Sequence, residues 1–133
     1  MATIDWALVC SAAFFDQQQR LCMIGIAREF PVPQLPIVVR QVMLVARLRD
    51  VSLVDEIVVT VAVVTPSGLV NAPVAQNSMV VERAGEFVLV TMRDVPLAEE
   101  GAYSFQVALR GQPAVTVDIP VLTTSNTALA DVH

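Results

Sequence analysis

Alternation with a period of two is the property that most constrains this chain. In residues 102–110 every second side chain is large and apolar: Tyr103, Phe105, Val107 and Leu109. Successive side chains of an extended strand point to opposite faces, so such a segment buries one face and wets the other. A helix needs apolar residues every 3.6 positions, and no segment of the chain sustains that stripe. The alternation recurs in residues 41–49, with Val42, Leu44, Ala46 and Leu48 on one side and Gln41, Met43, Val45, Arg47 and Arg49 on the other. It recurs again in residues 114–122, with Val115, Val117, Ile119 and Val121 on one face. Residues 56–65 are dense in Val and Ile, whose branched Cβ suits a pleated surface. Residues 3–14 and 20–28 read as two strands of a hairpin joined by the polar turn Asp16-Gln17-Gln18-Gln19, and Gly25 predicts a bulge or a close backbone approach within the second. Residues 86–94 form a further strand. Pro31, Pro33 and Pro36 make an extended crossover, because proline has no amide donor for a ladder. Pro73 and Gln76-Asn77-Ser78 break residues 69–82 into an edge strand or two short pieces.

Turn signals spaced by about 8–12 residues separate these strands, the spacing of an all-β sandwich. The expectation is a two-sheet immunoglobulin-like β-sandwich of seven or eight mostly antiparallel strands, with a closed barrel second. A chain of 133 residues is one domain, here residues 1–122, followed by a flexible polar tail at 123–133. A hydrophobic share of 55% excludes a disordered segment.

The charges narrow the partners. All eight basic residues are Arg, against 13 acidic residues, for a formal charge of −5. Neither half of the chain carries the basic stripe that phosphate backbones require, so nucleic acid and anionic membranes are excluded as partners. No apolar run reaches the roughly 20 residues of a membrane-spanning helix. Asp5 interrupts the apolar start, which has no positive leader, so a cytoplasmic protein is expected. Cys10 and Cys22 both sit in apolar stretches and read as free thiols of a reducing compartment.

Glu99-Glu100-Gly101-Ala102-Tyr103-Ser104-Phe105 resembles the acidic-x-Gly-x-Tyr pattern of immunoglobulin-like domains, in which the tyrosine packs under a turn and bonds backbone upstream. This gives Gly101 and Tyr103 structural roles. Phe105 stands where antibody domains place a cysteine. Ala7-Leu8-Val9-Cys10, Arg20-Leu21-Cys22-Met23-Ile24-Gly25-Ile26, Leu35-Pro36, Thr65-Pro66-Ser67-Gly68 and Glu100-Gly101-Ala102-Tyr103-Ser104-Phe105 follow in that order along the chain. Together they resemble a family of small single-domain bacterial β-sandwich proteins of unknown function. That resemblance implies a fold and a bacterial source, and no activity.

Chemistry finds few candidates. The single histidine is His133, the last residue. Cys10 and Cys22 have no further soft ligands at metal-binding spacing, and the five glycines are too dispersed for a phosphate loop. The acid pairs Asp55-Glu56 and Glu99-Glu100 lie at strand ends and read as solvated turn residues; Arg47 and Arg49 read as a solubilising pair on one strand face. No catalytic residue, cofactor or metal is expected. The apolar excess is more informative. A strand of a two-layer sandwich has one wet face, yet Val58, Ala62 and Val64 oppose the core positions Ile57, Val59, Val61 and Val63. Met43 and Val45 repeat this on the outer face of the preceding strand. The five residues Met43, Val45, Val58, Ala62 and Val64 are therefore expected to form a protein interface. The function expected is a non-catalytic interaction module whose partner is itself, as a homo-oligomer, or another subunit of a larger assembly. A sandwich binding a small ligand or carbohydrate is the alternative.

Overall fold

The computed structural model describes residues 2–52, 56–71 and 79–124. Among the described residues ten strands follow in chain order: β1 Thr3–Phe15, β2 Leu21–Ile26, β3 Phe30–Val32, β4 Ile37–Arg49, β5 Val59–Val64, β6 Val70–Asn71, β7 Met79–Ala84, β8 Phe87–Leu97, β9 Gly101–Leu109 and β10 Val115–Thr123. They form two five-stranded sheets, ordered β2-β1-β4-β8-β7 and β3-β10-β9-β5-β6. The immunoglobulin-like sandwich is the fold of this chain. The count exceeds seven or eight because the expected crossover contributes a short strand of its own and the broken stretch takes the form of two pieces. The polar and proline-broken stretch yields β6 and β7, both at sheet edges. The proline-rich crossover contributes β3, which pairs parallel to β10 as an edge strand; every other pairing is antiparallel. Pro31 is tolerated there because an edge strand has one unpaired side.

The core between the sheets follows the alternation closely. Val42, Leu44, Ala46 and Leu48 of β4 meet Tyr103, Phe105, Val107 and Leu109 of β9, with Val61, Val63, Ile119 and Val121 beside them, all buried. In β8 the buried set changes from Val88, Val90 and Met92 to Val95 and Leu97. The odd step falls at Asp94, whose φ of 55° is left-handed, so the strand continues beyond its expected end at residue 94, as far as Leu97, with its other set of side chains inward. Ile37 and Val39 of β4, paired with Leu97 and Val95, pack against the core in the same shifted phase. Strand β5 starts at Val59 rather than at residue 56. At the other end of the chain β10 runs to Thr123, and the Thr124 N–H donates to the Val32 carbonyl at 2.8 Å, so the expected tail begins later than 123. Residues 125–133 lie outside the described residues.

Candidate functional site

The sheet built on β1 is not used uniformly along its length. Residues 3–10 of β1 pair with β4, and residues 10–15 pair with β2 instead. Cys10 is the hinge position, opposite both Met43 and Ile26. Beyond it, residues 11–26 form a two-stranded arm. Its tip is set by Asp16, whose carboxylate accepts the Gln18 and Arg20 N–H groups at 2.8 Å and pairs with the Arg20 guanidinium at 2.7 Å. The backbone N–H of Arg20, with help from its side chain and from Gln18, holds the Asp16 carboxyl below the usual range. Gly25 lets the two strands approach: its φ is 67°, and a Cβ there would lie 2.3 Å from Ser11 Oγ. That hydroxyl donates to the Ile24 carbonyl at 2.9 Å.

The arm has two apolar faces. Ala13, Phe15, Leu21 and Met23 pack on the outer face of the sheet, against Cys10, Met43, Val45 and Leu89. Trp6 closes the same cluster and stacks at a tilt on Phe87, with ring centroids 6.1 Å apart. This second core pushes the Cys10 thiol above its ordinary value by desolvation. The opposite face of the arm meets solvent: Phe14 is 46% exposed and Ile24 57%, with Cys22 half-buried beside them, and Ile26, beyond Gly25 and paired with Cys10, is 51% exposed. Both cysteines are free thiols, and they occupy different levels of the arm.

This geometry divides the five residues expected to form one interface. Met43 and Val45 do lie on the outer face of their sheet, but both are buried within the chain by its own arm. Val58, Ala62 and Val64 belong to the other sheet or its approach and are half-buried on the opposite side of the sandwich. A single patch containing all five does not exist, because the connection after β4 crosses from one sheet to the other, and β4 and β5 are not neighbours. The exposed residues Phe14, Ile24 and Ile26 were not singled out in the sequence. Their signal was present, since apolar residues occupy both faces of residues 12–15 and 21–26.

The other polar groups serve the fold. Arg47 bridges Asp5 at 3.4 Å and Glu86 at 3.1 Å, and Arg49 reaches the second Asp5 oxygen at 2.6 Å. Arg47, Arg49 and Glu86 border, with Asp50 and Arg83, a shallow cleft of about 490 Å³ in which three arginines stand against two acids. Tyr103 is fully buried, and its hydroxyl accepts the N–H groups of Ala98 at 3.0 Å and Glu99 at 3.3 Å. Glu99 receives the Ser67 N–H and hydroxyl, and Glu100 receives those of Thr123. These bonds, the Ser67 and Thr123 hydroxyls first, lower both carboxyl pKa values. Both turn acids therefore tie their loop to neighbouring segments, Glu99 to the turn at Ser67 and Glu100 to the end of β10. Asp55 lies outside the described residues. Among the described residues no group of three His, Cys, Asp or Glu is arranged to hold a metal ion, and no helix is long and apolar enough to cross a membrane.

A family model described as a family of unknown function, DUF6941, matches residues 5–122. The chain belongs to that family. The match spans all ten strands but for the ends of β1 and β10. No curated protein matches the chain. Among solved structures the chain is similar to the crystal structure of the Ig1 domain of mouse SynCAM 2, at 16% identity and a TM-score of 0.34, covering 73% of this chain and 91% of that one.

Proposed function

We propose that this member of the family is a non-catalytic protein-interaction module, working as a homo-oligomer or as a subunit of a larger assembly, and that its contact surface is the outward face of the β1–β2 arm. The observation that carries this reading is the exposure of Phe14, Ile24 and Ile26 together on one short hairpin. Scattered surface hydrophobes are ordinary, but a contiguous set favours a partner. The arm is also held rigidly, by the second core beneath it and by the Asp16 turn at its tip. A preorganised surface loses little entropy on binding. No specific feature favours the ligand-binding alternative: Tyr103 is sealed in the core and Trp6 is committed to the second cluster.

Native mass measurement tests the reading. The wild-type chain should assemble at tens of micromolar, or capture a partner through this surface, and Ile24→Lys should abolish the association while leaving the fold intact. Identical behaviour of the two chains in both assays would remove the arm from the proposal.

A further inference from the structure

We infer that the partner of the arm is a second copy of this chain, joined through the free edge of β2 by antiparallel pairing about a two-fold axis at Cys22. This deepens the interaction reading above and rests on it.

The four sheet edges differ in protection. β3 is three residues long and contains Pro31, and β6 is two residues long. β7 carries Glu82 and Arg83. β2, with the sequence Leu21-Cys22-Met23-Ile24-Gly25-Ile26, has no charge and no proline. Charges, prolines and shortness are the usual guards against edge pairing, and β2 lacks all three.

The register follows from the ladder. The Asp16 N–H donates to the Arg20 carbonyl at 2.9 Å, which makes those two residues a hydrogen-bonded pair. Antiparallel ladders alternate, so Cys22 and Ile24 turn their amides toward β1, and Leu21 and Met23 turn theirs to the open edge. Ser11 Oγ reaching the Ile24 carbonyl agrees with that phase. Gly25, at a φ of 67°, ends the regular edge. The longest symmetric pairing that avoids Gly25 sets Leu21 opposite Met23 of the second copy, and Met23 opposite its Leu21, with four backbone bonds. Cys22 then faces its own symmetry mate across a non-hydrogen-bonded pair, where Cα atoms lie about 4.5 Å apart. Phe14 and Cys22 of each copy form one apolar row across the seam, since Phe14 is the β1 partner of Cys22. Ile24 falls opposite Arg20 of the second copy, whose exposed stem covers it. A two-fold interface of this kind is closed and self-complementary, so assembly stops at the dimer.

Two readouts test this. The first is oxidation with copper phenanthroline, in which two Cys22 thiols lose two protons and two electrons to the oxidant and form one disulfide. A separation of about 4.5 Å falls inside the roughly 4.4–6.8 Å that a disulfide spans. A dimer cross-linked at Cys22 is expected, absent in Cys22→Ser and unaffected by Cys10→Ser. The second is amide hydrogen exchange of Cys22→Ser, where the Leu21 and Met23 amides should slow at least tenfold between low and high protein concentration. If native mass shows an oligomer but these amides exchange at one rate throughout, the edge pairing is wrong and the interaction reading stands. If the wild type is a monomer at tens of micromolar, self-pairing fails together with the homo-oligomeric form, and only a different partner remains.

Discussion

Tyr103 shows how one side chain organises a turn. Its ring fills the core, and its hydroxyl sits beneath the N–H groups of Ala98 and Glu99, which point inward at the loop between β8 and β9. The hydroxyl is the acceptor, so Tyr103→Phe leaves two partly buried donors without a partner. The expected cost is about 1–3 kcal/mol, read as a lower denaturant midpoint at unchanged slope; coincident midpoints would count against the corner. Gly101 guards the same loop, since its φ is 121° and a Cβ would stand 2.9 Å from the Pro66 Cβ. Glu99 and Glu100 tie that loop to its neighbours as carboxylates. Both carboxyl groups lie below their ordinary value of 4.5, so the folded chain binds these protons more weakly than the unfolded chain does. Their stabilisation is complete above that value and is lost as the pH falls through the lower folded values. Glu99→Gln should flatten this part of the acid unfolding curve, and an unchanged curve would show that the Ser67 contact contributes nothing.

At the scale of the element, the arm depends on its second core as much as on its ladder. Gly25 has both a left-handed φ and a close neighbour in Ser11 Oγ. Gly25→Ala should therefore part the two strands of the arm and loosen Met23 and Leu21 from Met43. Tryptophan fluorescence reports this, because Trp6 lies in the same cluster; an unaltered spectrum and unaltered stability would show that the approach is not tight. The two thiols should also separate by their positions. Cys22, half-buried on the outward face, should label with a thiol reagent in the native monomer. Cys10, buried and with a raised pKa, should label only on unfolding. Equal rates would contradict the burial of the hinge.

The whole molecule separates two substitutions that look alike in the sequence. Val45→Glu places a charge in the closed cluster under the arm and should unfold or severely destabilise the chain, because nothing there can pair with it. Val58→Glu lies half-exposed on the other side of the sandwich and should leave the fold and the oligomeric state unchanged. Thermal melting and native mass together distinguish the two, and a folded Val45→Glu chain would mean that the arm lifts off the sheet.

Alternation determined the longer strands, most of their inward faces and the sandwich, because each depends on residues two apart within a single segment; it did not show β3 or the change of phase at Asp94. Tyr103, Phe105, Val107 and Leu109 are buried as their spacing requires, and the tyrosine motif located its own hydrogen bonds within five residues. Gly25 likewise marked a close approach inside a hairpin. Local periodicity carries no information about which sheet a strand joins. The chain crossed between layers after β4, so Met43 and Val45 parted from Val58, Ala62 and Val64. It also cannot register a strand that changes partners midway. Only the tertiary structure showed β1 leaving β4 at Cys10, folding its arm back over the sheet, burying Val45 beneath it and turning Phe14, Ile24 and Ile26 outward. Which apolar face is covered is a question of long-range contacts, and those are settled by the packing of segments distant in the chain.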